Sequence, residues 1–240
     1  PALITNHLTK KFGDKGLAWL DSDGKENGEW SIIGINPKKT IQSRDINNLD
    51  KTNNPFKNLK NIEKGFWIGW LSYEAGVYIE PKNPWRQSDM ATLWIASFDP
   101  IIKCNLIKNE IIIEGTNSDE IINYQNIIND INTLKENNAK KTNLKFDFSK
   151  IDLEKMTRKF QSNILKLKKL ISLGDLFQAN LTTKCVIESS KIYSPLNIYL
   201  KIRSKLRAPF GGIIINNIDN YKEAVLSTSP ERFIKIDNKN

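Results

Sequence analysis

A chain of 240 residues, 39% of them hydrophobic, can bury one large core or two small ones. No run reaches the roughly eighteen consecutive apolar residues of a membrane helix, and the start PALITNHLTKKF has no apolar core of signal-peptide length, so a cytoplasmic protein without a membrane partner is expected. Lys and Arg number 36 against 27 Asp and Glu, for a formal charge of +9, but the cations are scattered; the densest cluster, Lys166, Lys168 and Lys169, alternates with apolar residues as on a solvated helix face, which does not make a nucleic-acid footprint.

From Leu3 to about Phe98, short apolar runs broken by Gly, Pro and Asn read as strands joined by turns. Leu17–Leu20 and Trp30–Ile35 are two of them, and Gly65–Tyr73 sets four aromatic residues beside two glycines. Trp67, Trp70 and Tyr73 follow strand spacing and suit core packing. After EPKNPW come the run Thr92–Phe98 and a hairpin, IIKCNLI and IIIEG about a turn at Lys108–Glu110. Ile121, Ile122, Ile127, Ile128, Ile131 and Leu134 recur at helical spacing over Asp119–Leu134. KENNAKKTN, without periodicity, reads as a linker. Ser149 and Asp152 then open a helix that carries Met156, Phe160, Ile164, Leu167 and Ile171 and stops at Gly174. LFQANLTTKCVIE is a strand pattern, Ser194-Pro195 starts a helix ending near Leu206, and GGIIIN and AVLST, the latter running into SPERFIKI, read as adjacent strands. The boundaries expected are a mostly β domain over 1–138, a linker over 139–149 and a second unit over 150–240. Cys104 and Cys185 have no CxxC spacing and only His7 as a possible imidazole neighbour, so neither a disulfide framework nor a zinc site is expected; His7 has no assigned role. Pro1 in place of an initiator methionine, and DNKN directly after an apparent strand, suggest a partial sequence.

GDLFQANLTTK at 174–184, LRAPFGGIIIN at 206–216, VLSTSPERFIKI at 225–236 and GFWIGWLSYEAG at 65–76 resemble segments of the chorismate-utilising enzymes, in that family's order along the chain. The resemblance implies an α/β fold of the α+β type, with layered sheets and helices as in anthranilate synthase component I and with the second unit truncated. Within the family, APFGG is similar to the aminodeoxychorismate synthase component I form rather than to the P-Y-M-F form of anthranilate synthases, and SYEAG leans the same way. The resemblance thereby implies an enzyme that makes 4-amino-4-deoxychorismate from chorismate, with ammonia supplied by a glutamine amidotransferase subunit, for para-aminobenzoate and folate synthesis. The alternatives are anthranilate synthase component I and a non-catalytic tryptophan-binding module.

Loss of the C4 hydroxyl of chorismate needs an acid, because hydroxide leaves poorly at neutral pH. The resemblance gives that role to Glu231 of the S-P-E motif, presented by Ser229 and Pro230; the residues alone favour a solvated glutamate at a strand end beside Arg232. By resemblance the nucleophilic lysine of a P-I-K-G-T motif and the Mg²⁺ ligands fall beyond residue 240, so this chain is expected to be inert alone. The resemblance also implies a tryptophan pocket at Ser22, at Trp30, Ser31, Ile32 and Ile33, and at Pro209, Phe210 and Gly211. Asp21 stands where the anthranilate synthase pattern L-L-E-S has glutamate, which puts feedback control in doubt; an occupied pocket and ordinary core aromatics both remain open. Asp175, Gln178 and Asn180 either line the substrate side or make buried structural hydrogen bonds.

Overall fold

The computed structural model describes residues 1–25, 28–44, 46, 53–133, 144, 146–189, 191–218 and 220–236. The greater part of the expected linker, and Leu134, lie outside them. The chain forms two compact units, Pro1–Lys140 with Ser194–Asn240, and Lys141–Tyr193.

In the larger unit, helix α1 (Ala2–Phe12) precedes strands β1 (Gly16–Asp21), β2 (Trp30–Ile35) and β3 (Lys39–Ser43). Helix α2 (Pro55–Lys60) is capped by the Asn54 side chain, which accepts from the backbone N–H groups of Phe56 and Lys57. Strands β4 (Phe66–Leu71), β5 (Leu93–Phe98), β6 (Ile101–Asn105) and β7 (Glu110–Glu114) lead to helix α3 (Ser118–Thr133). Among the described residues β3, β5 and β4 form a three-stranded antiparallel sheet, and a six-stranded antiparallel sheet has the order β7-β6-β2-β1-β8-β9. Its last two strands are β8 (Phe210–Asn216) and β9 (Glu223–Ser229), which follow helix α5 (Pro195–Arg203).

The two-residue period of the strands divides their side chains between two cores. On β1, Leu17 and Trp19 meet Leu8, Tyr124, Ile127, Leu196 and Tyr199 of the helices, while Ala18 meets Trp94, Ala96 and Phe98 of the small sheet. Both faces of the large sheet are therefore covered, which is why β1 and β8 read as unbroken apolar runs rather than as alternation. The result is an α+β fold of three layers, helices, large sheet and small sheet. Gly34 on β2 faces the small sheet, and a Cβ there would lie 2.7 Å from Cδ1 of Phe98. Gly34→Ala is expected to cost about 1–3 kcal/mol through overpacking, read as a lower urea midpoint; an unchanged midpoint would show that the Phe98 ring moves aside freely.

At one edge of the two sheets Arg44, just after β3, meets Glu223 at the start of β9 through two charge-assisted bonds of 2.8 and 2.7 Å. Asn216 Nδ2 and the Ala91 N–H donate to the same carboxylate, and the Arg44 guanidinium lies 3.3 Å from the centroid of the Tyr221 ring. Burial pushes the Glu223 carboxyl up, but the bonds from Arg44, Asn216 and Ala91 outweigh it and hold the group below its usual range. A depressed folded pKa contributes stability above the unfolded value of about 4.3 and loses it as pH falls through the folded value. Glu223→Gln is therefore expected to lower stability near neutral pH and to flatten its decline below about pH 4, measured by urea melts across that range. An acid limb identical to that of the parent would contradict the assignment.

Four elements differ from the sequence expectation. Helix α1 replaces a strand reading, because Ile4 and Leu8 lie one turn apart and bury together. Residues 194–240 belong with the amino-terminal region rather than with 150–193, because β8 pairs along the whole of β1, from Gly16↔Asn216 to Asp21↔Gly211. Strand β9 stops at Ser229, and Phe233, Ile234 and Ile236 beyond it are exposed. The fourth lies in the smaller unit. There helix α4 (Leu153–Ser172) starts at Asp152, whose carboxylate accepts from the Lys155 N–H at 2.8 Å. It ends in a Schellman pair, Gly174 N–H to the Ile171 carbonyl and Asp175 N–H to the Leu170 carbonyl, with Gly174 at φ +82°, where a side chain is disfavoured. The expected strand over Leu176–Glu188 does not form: a strand needs a hydrogen-bonded neighbour, and among the described residues none pairs with this segment.

Candidate functional site

Antiparallel pairing gathers the residues singled out in the sequence at one end of the large sheet. There β1 finishes at Asp21, β2 begins at Trp30, β8 begins at Phe210 and β9 finishes at Ser229. Asp21 sits opposite Gly211, Leu20 lies between Ile32 and Gly212, and Phe210 sits opposite Ser229. Segments from four places in the chain thus meet although none of the motifs specifies the meeting.

Strand alternation divides these residues between the two faces. Ser31 and Ile33 face the helices; the Ser31 hydroxyl accepts from Trp19 Nε1–H at 2.8 Å and donates to the Leu20 carbonyl at 3.3 Å. Gly211 faces the same way, and a Cβ on it would come within 3.0 Å of the Tyr199 hydroxyl. Ile32 packs toward the small sheet, and half-buried Trp30 holds the Lys103 ammonium 5.4 Å from its ring centroid. Phe210 carries the Arg232 guanidinium 4.7 Å from its ring centroid. Ser22, buried just beyond β1, donates to the Gly28 carbonyl at 2.6 Å. Gly28 in turn is wedged between Ser22 and Pro209, where a Cβ would stand 3.1 Å from Pro209 Cα and 3.2 Å from Ser22 Cβ. The structure therefore brings Ser22 and Pro209 together around Gly28, and separates the side chains of Trp30 and Ile32 from those of Ser31 and Ile33. Two surface cavities, of about 300 Å³ and about 290 Å³, are lined by other residues, Lys39 to Trp67 in one and Asn6 to Asn197 in the other.

Beneath this end lies a polar group that the sequence reading did not assemble. Asp21 is 5% exposed, and its carboxylate accepts from Arg203 Nε and, at 3.2 Å, from both Arg203 Nη2 and the Tyr199 hydroxyl. The Arg203 guanidinium also lies 5.3 Å from the Trp19 ring centroid. Burial, and then the Asp21 charge, push the Tyr199 hydroxyl far up, so it stays a neutral donor. The available signal was helical spacing: Tyr199 and Arg203 are four apart on α5, with Leu196 one turn before Tyr199, and so share the buried stripe.

Glu231 is exposed, two residues past β9. Ser229 fixes the bend that presents it, accepting from the Glu231 N–H at 3.4 Å and donating to the Glu231 carbonyl at 2.9 Å. Arg232 turns its charge to the Phe210 ring instead of to its neighbour Glu231. Asp175, Gln178 and Asn180 belong to the smaller unit and are exposed, which removes the account of them as buried hydrogen-bonding groups. Among the described residues no three His, Cys, Asp or Glu side chains group closely enough to hold a metal ion, and no helix is long and apolar enough to cross a membrane.

Comparison with known proteins gives a relative for this arrangement. An anthranilate synthase component I-like protein of Synechocystis sp. is 25% identical over 254 residues, an alignment covering 96% of this chain and 50% of that protein. The chain thus spans about half the length of the curated relative it matches. The model of the chorismate binding enzymes matches residues 17–240, from β1 through Phe210 and Glu231, and the chain accordingly belongs to the chorismate-binding enzyme family.

Proposed function

We propose that the complete protein is an aminodeoxychorismate synthase component I, converting chorismate and ammonia to 4-amino-4-deoxychorismate for para-aminobenzoate and folate synthesis in the cytoplasm. Its ammonia comes from glutamine through an amidotransferase subunit. The observation that carries this reading is the Phe210↔Ser229 pair, which sets APFGG, the motif that leans toward this subtype, beside the strand end that bears Glu231.

In this account Glu231 donates the proton that lets the C4 hydroxyl of chorismate leave as water. Ser229 positions the acid through its two bonds to the Glu231 backbone. Mg²⁺ is the cofactor expected of the complete enzyme; the described residues hold no acidic group suited to it. The residues around Ser22, Pro209 and Phe210 are the proposed tryptophan-binding end of the sheet, separate in role from the acid.

The second reading, anthranilate synthase component I, draws on the name of the Synechocystis relative. Both readings require chorismate consumption with ammonia as the nitrogen source, so the first experiment supplies the complete protein with chorismate, Mg²⁺ and either an ammonium salt or glutamine. Turnover is expected with ammonium alone, and with glutamine only when the amidotransferase is added. Turnover that ignores the nitrogen source, with water taking its place, would overturn both.

A further inference from the structure

We draw no further inference here: the strongest candidate, the apolar stripe of α4 (Met156, Phe160, Ile164, Leu167 and Ile171) with exposed Phe177 after it, is a helix face unpartnered among the described residues, and nothing in the structure shows what covers it.

Discussion

Glu231→Gln in the complete protein is expected to lower kcat for chorismate amination by about 10²–10⁴-fold, the usual contribution of a positioned general acid. Glutamine keeps the size and hydrogen-bonding reach of the side chain and removes the transferable proton. The fold is expected to be indifferent to the change. Glu231 is exposed, and its two bonds to the Ser229 hydroxyl run from its own backbone, which the substitution leaves in place. A thermal melt unchanged beside a collapsed kcat separates a chemical role from a structural one. Ser229→Ala supplies an internal comparison: it removes the hydroxyl that sets the bend but leaves the acid, so a loss smaller than that of Glu231→Gln is expected. If Glu231→Gln turned chorismate over at the parental rate, Glu231 would be a solvated glutamate at a strand end.

Arg203→Met is expected to produce the largest loss of stability, about 3–5 kcal/mol, because it leaves the Asp21 carboxylate buried without its cation. The magnitude comes from burial. The side chains of Arg203 and Asp21 are 15% and 4% exposed, against 58% and 69% for the Lys39–Glu63 pair, so water cannot take the place of the missing partner. The charge, more than the lost bond, is the cost. Adding Asp21→Asn to Arg203→Met is therefore expected to recover part of the stability, since a neutral amide costs less to bury than an orphaned carboxylate. Urea denaturation of the parent, the two single variants and the double variant forms the cycle that reads this out. A loss below about 1 kcal/mol for Arg203→Met, the range of an exposed pair, would mean that Asp21 reaches solvent and that α5 is held to β1 by packing alone.

How far the sequence discloses this molecule depends on whether the signal is local. Strand β2 falls at Trp30–Ile35, the bounds its apolar run suggests, and the β6–β7 hairpin and the C-terminal end of α4 follow from turn residues and Gly174, whereas α4 is capped by Asp152, three residues after the Ser149 start that its sequence suggests. Helix α1 was hidden because its start carries Pro1 with no side-chain cap bond and its buried pair, Ile4 and Leu8, is set among Thr, Asn, His and Lys. Strand β3, KTIQS, is mostly polar and buries only Ser43, so its identity comes from pairing with β5. The reverse error arose at Leu176–Glu188, where the side-chain pattern suits a strand and, among the described residues, no neighbour forms a ladder with it.

The candidate site was legible in part for the same reason. Motifs marked Ser22, Trp30, Phe210 and Glu231 one segment at a time. Their meeting depends on β1 pairing with β8 and β8 with β9, and the buried ion pair joins residues 182 positions apart, a separation at which helical or strand periodicity carries no information. The division of Trp30 and Ile32 from Ser31 and Ile33 could have been foreseen, since neighbours on a strand point to opposite faces once β2 is known to be covered on both.

The carbon balance of the reaction tests the central proposal most directly. Amination at C4 retains the enolpyruvyl group, whereas formation of anthranilate releases it as pyruvate. Complete protein supplied with chorismate, ammonium and Mg²⁺ is expected to yield a product that keeps all the carbons of chorismate, identified by mass, with no pyruvate detected by a coupled dehydrogenase assay. Anthranilate accompanied by equimolar pyruvate would contradict that reading.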